Sequence, residues 1–138
     1  MAGARIDATM LLCDHAESVA GKLYVLGGGW TQLQTRTPLA MGLAVKLSLP
    51  EEFAGRRLPL LVTLVTAEGS AVADKEKPIT FTAEMEFARR PGQDVDAPLG
   101  AVFAVNAHFQ GLELEPGRYA WELWIANDLA AKEPFSVA

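Results

Sequence analysis

A chain of 138 residues, half of them hydrophobic and about a fifth charged, has the composition of one globular domain, large enough to bury roughly 70% of the surface its unfolded chain exposes. The formal net charge of −5 and the isolation of the basic pairs Arg56-Arg57 and Arg89-Arg90 exclude the basic stripe that phosphate-backbone binding needs, so no nucleic-acid partner is expected. One cysteine excludes an intrachain disulfide and fits a reducing compartment, here the cytoplasm, and no stretch approaches the ~18 consecutive apolar residues of a membrane helix.

The run Met10 to Asp14, MLLCD, has the outline of a lipoprotein signal end. Leu12 stands where a small residue is usual, and the apolar run Ala8 to Cys13 is shorter than the ~7–15 residues of a signal core. It reads instead as a first strand, Ile6 to Cys13, with a second expected from Lys22 to Leu33. From Leu39 to Leu49, alternation puts Leu39, Met41, Leu43, Val45, Leu47 and Leu49 on one face and Ala40, Gly42, Ala44, Lys46 and Ser48 on the other. That is the period of a strand with one buried face. Glu51 to Gly55 suits a helical turn. Leu58 to Thr66 is apolar on both faces and reads as a central strand. Ile79 to Phe87 and Ala101 to Phe109 alternate again, and His108 falls in the outward row with Asn106 and Gln110. Arg118 to Ala126, rich in aromatics, is a second central strand, and Pro134 to Val137 a short last one. Turn chemistry separates these runs at residues 67–70, 90–94 and 115–118. About eight strands with no helical period predict an all-β fold, an antiparallel β-sandwich of immunoglobulin-like or fibronectin-like kind, as a single domain over residues 1–138.

Two local patterns refine this. In LEPGRYAW, Leu114 to Trp121, a leucine, a Pro-Gly turn and a tyrosine entering a strand resemble the tyrosine corner of such sandwiches, with Tyr119 tying the corner to nearby backbone. Gly27-Gly28-Gly29 leads into the β-prone run Trp30 to Leu33 rather than into a helix, so these glycines lack the helix N-terminus that a phosphate loop requires. They are expected to bend a strand whose bare backbone is covered by an aromatic side chain, with Trp30 the candidate.

Leu11 to Trp30, LLCDHAESVAGKLYVLGGGW, together with Pro116 to Ile125, PGRYAWELWI, and the closing Pro134 to Val137, PFSV, resembles a family of small bacterial proteins of unknown function common in actinobacteria. The resemblance implies a β-sandwich and an intracellular bacterial protein, and it carries no catalytic residue.

No catalytic constellation stands out. Cys13-Asp14-His15 invites a cysteine-nucleophile reading, but on a strand Cys13 and His15 lie about 6.6 Å apart, at two rises of ~3.3 Å, beyond hydrogen-bond reach. A buried structural thiol is the simpler expectation. A metal held by Cys13, His15 and His108 lacks the fourth ligand of a structural zinc site. Asp94 and Asp96 are weak calcium candidates, because calcium takes six to eight oxygens and only Asp74 or Asp128 stand ready to help. Glu84, Glu86, Glu113, Glu115 and Glu122 offer carboxylates that nothing in the sequence pairs. No metal and no cofactor is expected.

The outward strand faces are more informative, because they carry small and apolar residues where Thr, Lys or Glu is usual. Ala40, Gly42 and Ala44 share one such face, Leu61 and Val65 another, and Trp124 stands on a third. A surface of this kind is covered either by the chain's own loops or by a partner. The reading that follows is a non-enzymatic interaction or assembly module, self-associating or docking on a protein through an outer sheet face, with Trp124, Leu61, Val65, Ala40, Gly42 and Ala44 as the interface. A second reading is a small-ligand or carbohydrate-binding module that stacks its ligand on Trp124 or Trp30, with calcium at Asp94 and Asp96.

Overall fold

The computed structural model describes residues 6–34, 39–88 and 101–138. The chain forms β1 (Asp7–Val19), β2 (Lys22–Gly28), β3 (Gln32–Leu33), β4 (Leu39–Leu49), a single 3-10 turn (Glu51–Phe53), β5 (Leu58–Thr66), β6 (Ala73–Asp74), β7 (Lys77–Pro78), β8 (Thr80–Met85), β9 (Ala101–Leu112), β10 (Gly117–Ile125) and β11 (Asp128–Val137). These strands build two facing sheets, one in the order β2-β1-β4-β9 and the other β3-β11-β10-β5-β8, with β6 and β7 forming a small separate ribbon. Every pairing is antiparallel except that of β3 with β11. The fold is an antiparallel, immunoglobulin-like β-sandwich.

Alternation decides which side chains meet between the sheets. On β4 the odd-numbered leucines, Met41 and Val45 are at most 5% exposed, while Ala40 and Lys46 on the opposite face are open. From the facing sheet come Leu58, Leu60, Val62 and Leu64 of β5 and Trp121, Leu123 and Ile125 of β10, all part of one core cluster. Each such leucine or valine contributes about 1.5–3 kcal/mol by leaving water. Trp121, fully buried, stacks on Phe109 at 4.3 Å between ring centroids and directs its indole N–H at Met41 Sδ, 3.3 Å away. It therefore ties β10 to both β4 and β9 across the core.

The structure adds the β6–β7 ribbon, which the sequence reading did not include, and departs from that reading most at three elements. The strand expected from Lys22 to Leu33 is two strands in different sheets: β2 pairs with β1, and β3 pairs with β11. Gly27 and Gly29 take φ of 60° and 91°, values open to glycine at little cost, and the chain crosses from one sheet to the other there. β1 runs on to Val19, because its distal half is held by β2 after β4 has left it: pairing with β4 ends at Cys13 opposite Gly42, and pairing with β2 continues to Val19 opposite Lys22. β11 starts at Asp128 rather than Pro134, since a two-residue turn at Ala126 and Asn127, both with positive φ, returns the chain directly along β10. Among the described residues no helix is long and apolar enough to cross a membrane.

Candidate interaction surfaces

The outer face of the first sheet is largely covered by the chain itself. Cys13, Ala16 and Ala44 form a second, small buried cluster, with Leu11 and Leu23 packed at its margin. Gly42 sits beside it, and a Cβ there would stand 3.1 Å from both Cys13 Sγ and His108 Cδ2. Only glycine fits that approach without displacing a neighbour. The distal half of β1 is stitched to β9: the Ala16 amide donates to His108 Nε2 at 3.1 Å, and Ser18 Oγ donates to Asn106 Oδ1 at 2.9 Å. The His15 and His108 rings stack at 4.7 Å, and His15 Nε2 also lies 3.1 Å from Glu17 Oε1. Burial, and then the neighbouring Asp14 carboxylate, push the Cys13 thiol up from its ordinary pKa. The thiol is thus packed in apolar surroundings while both imidazoles have contacts of their own. Among the described residues no three His, Cys, Asp or Glu side chains converge on a metal position.

On the outer face of the second sheet, Val65 is also inside, 4% exposed where the chain after β5 turns back and Ala71 bridges it. Gly42, Ala44 and Val65, three of the six residues assigned to an interface from the sequence, are therefore covered by their own chain, for reasons of loop and hairpin packing that alternation does not encode. Ala40 is exposed and Leu61 is 36% exposed. Leu61, Trp124 and Leu129 stand opposite one another on three adjacent strands, an apolar row in register. Trp124 is half-buried, its indole N–H reaching Glu122 Oε1 at 3.4 Å, and beside it lies a shallow hollow of about 240 Å³ lined by Pro59, Leu61, Trp124 and Asn127.

Four of the seven large apolar side chains exposed among the described residues lie on the β1–β2 hairpin, Val19 at 51%, Tyr24 at 54%, Val25 at 37% and Leu26 at 66%, while Val102 at 43%, Leu129 at 48% and Leu61 at 36% stand on other strands. Among the described residues β2 is the edge of its sheet, with β1 on one side and no strand on the other. Sequence reasoning treated Lys22 to Leu33 as one strand and so did not see that Leu23 to Leu26 ends up at an edge. The signal was present: LYVL is an apolar run with no polar residue to mark a solvated face.

The remaining candidates fall into place one by one. The glycine stretch stays exposed rather than covered: a Cβ at Gly27 would meet the Asp14 side chain and one at Gly28 the Leu11 and Val25 side chains, while Trp30 packs against the main core. The Tyr119 hydroxyl donates to the Glu115 carbonyl oxygen at 2.6 Å, the tie that a tyrosine corner makes, and burial and the Glu115 carboxylate raise its pKa. Arg57 lies 3.8 Å from both Glu84 and Glu86, so those carboxylates share a cation on an exposed surface. Glu113 and Glu115 are exposed, and Glu122 meets Lys132 at 3.8 Å. Asp94 and Asp96 lie outside the described residues.

Compared with solved structures, the chain is similar to the alkylpurine DNA glycosylase AlkC of Pseudomonas fluorescens bound to DNA containing an abasic site analog, with a TM-score of 0.54 and 11% identity over 99% of this chain. The match spans only 31% of that protein, and at this identity it concerns fold alone. An immunoglobulin-like protein of Pseudomonas aeruginosa aligns over 98% of both chains with 15% identity and a TM-score of 0.46. No curated protein matches the chain. A family model covers residues 8–138, and the chain belongs to that family, a family of unknown function designated DUF6941.

Proposed function

We propose that the chain is a non-enzymatic assembly module whose copies pair strand to strand along β2. The observation that carries this is the concentration of exposed apolar side chains on an unpaired sheet edge. An edge strand offers a row of free backbone donors and acceptors, and folded proteins ordinarily shorten it, charge it or cover it. Among the other edges of the described residues, β3 is two residues long, β8 presents Thr80, Thr82 and Glu84 to solvent, and β9 exposes the polar His108 and Gln110 beside a single large apolar side chain, Val102. β2 has none of these devices after Lys22.

Its geometry suits a second copy. The Ala20-Gly21 turn, with φ of 50° and 75°, makes Val19 and Lys22 the closing pair of a two-residue hairpin. Hydrogen-bonding direction alternates along an antiparallel ladder, so Lys22, Tyr24 and Leu26 bond inward to β1 and the backbones of Leu23 and Val25 face outward. A two-fold axis at Val25 then pairs Val25 with its own counterpart and sets Tyr24 beside Leu26 of the other copy on one face. Large side chains meet large apolar ones there, and Leu23 meets Gly27. Pairing of this type adds main-chain hydrogen bonds to apolar burial. One added strand is small against the ~800 Å² per partner of a standard interface, so the dimer is expected to be weak, with a Kd on the order of micromolar. The net charge of −5 supports a protein partner rather than nucleic acid.

Sedimentation velocity on the wild-type chain and on Leu26→Lys tests the reading. Wild type should show a concentration-dependent dimer, and the lysine, placed on an already exposed side chain, should leave a folded monomer. A wild-type chain that stays monomeric throughout would refute it.

A further inference from the structure

We propose that a hollow on the outer face of the second sheet, at the Arg118 end of β10, binds a small organic monoanion. The hollow measures about 520 Å³, within the ~300–1,000 Å³ range of small-molecule sites. The strand register sets out its parts: Arg118 faces Ser136, Ala120 faces Pro134, and Glu122 faces Lys132. Ala120 and Pro134 give a low apolar floor between taller side chains. At one end the Lys132 ammonium is 3.8 Å from the Glu122 carboxylate, so the two charges largely cancel. At the other end Arg118 is exposed and has no carboxylate partner among the described residues. Thr31 and Ser136 also line the hollow, and the Ser136 amide donates to the Thr31 carbonyl at 2.9 Å, holding the two together. The Arg118 carbonyl accepts from the Ala67 amide at 3.1 Å, which fixes the strand that carries the guanidinium.

Charge complementarity names the occupant. The chain carries five more acidic than basic residues, yet the lining of this hollow holds no acidic side chain, and of its two cations Lys132 is paired with Glu122 while Arg118 stands open. Glu68 lines a neighbouring hollow of about 340 Å³ on which Arg118 also borders, and it forms no ion pair with Arg118. A planar guanidinium takes a carboxylate in bidentate fashion, with the Thr31 and Ser136 hydroxyls as further donors. From Arg118 to Glu122 the strand advances about 13 Å at ~3.3 Å per residue, room for a carboxylate followed by a short aliphatic chain or one ring over Ala120 and Pro134. The ligand class is accordingly a compact carboxylate with an apolar body, and the neutral Lys132–Glu122 pair at the far end disfavours a second negative charge.

The probe is hexanoate, titrated into the isotopically labelled 138-residue chain and followed by amide chemical shifts, with 1-hexanol as the uncharged counterpart. Hexanoate should move the resonances of Ala67, Arg118, Ala120 and Ser136. Arg118→Gln should weaken it at least about ten-fold, the usual size of a hydrogen-bonded charge contact, while the unliganded spectrum keeps its dispersion. Hexanol should bind more weakly by a similar factor. No shift at these residues, shifts scattered over other surfaces, an unchanged affinity in Arg118→Gln, or equal binding of hexanol would each overturn the assignment. None of these outcomes touches the pairing along β2, which lies on the other sheet.

Discussion

Cys13 and Tyr119 show how differently two residues can be readable. The Tyr119 hydroxyl reaches a carbonyl only four residues upstream, so the tie is local, and LEPGRYAW announced it. Tyr119→Phe should cost about 1 kcal/mol in urea unfolding, the net worth of one hydrogen bond. Because its pKa is raised in the folded chain, that contribution is fully present below the unfolded tyrosine value near ~10 and is lost as pH rises through the folded value. Alkaline destabilisation should therefore be less steep in Tyr119→Phe. Cys13 was expected to be a buried thiol, but what buries it is the distal part of its own strand closing with Ala16 and Leu23 over Ala44. That closure depends on where β4 stops pairing, which no alternation pattern encodes. With a raised pKa and no exposure, the thiol should stay unmodified by iodoacetamide at neutral pH in the native protein and react on unfolding. Mass spectrometry reads both states.

At the scale of elements, β4 and β5 occupy the spans read for them, whereas β8 is shorter at both ends than the alternating run Ile79 to Phe87 and β9 runs on past Phe109 to Leu112. The pattern gave out where the chain changes sheets. Gly27 to Gly29 read as a bend within one strand, whereas the positive φ at Gly27 and the Asp14 side chain above it belong to a crossover. Gly27→Ala should cost about 1–2 kcal/mol for the left-handed backbone alone, with more for displacing Asp14, and a urea midpoint measures it. The neighbouring hairpin offers the opposite change. Ala20 holds a left-handed φ of 50° ahead of Gly21, a position that asparagine tolerates better. Ala20→Asn should raise stability by about 0.5–1 kcal/mol and leave the β1–β2 register unchanged. β11 was only half seen, since Asp128 to Glu133 carries residues of low strand propensity and is held in the sheet by its turn and by β10.

At the scale of the whole molecule, the outer faces that looked available from the sequence are partly closed by the chain's own hairpin and loops, and four of the seven large apolar side chains left open among the described residues lie on the β1–β2 hairpin, three of them on β2. The proposed pairing uses an edge rather than a face. Trp124→Asp alters the exposed row with Leu61 and Leu129 but lies on the other sheet from β2, so it should leave assembly intact. The most direct test is the solution mass of the wild-type chain by light scattering over a dilution series, beside Leu26→Lys and Trp124→Asp. Pairing along β2 predicts that wild type and Trp124→Asp climb from 14.8 kDa toward twice that mass as concentration rises, while Leu26→Lys stays at 14.8 kDa. A wild-type mass fixed at 14.8 kDa into the high micromolar range, or a dimer split by Trp124→Asp and not by Leu26→Lys, would contradict it.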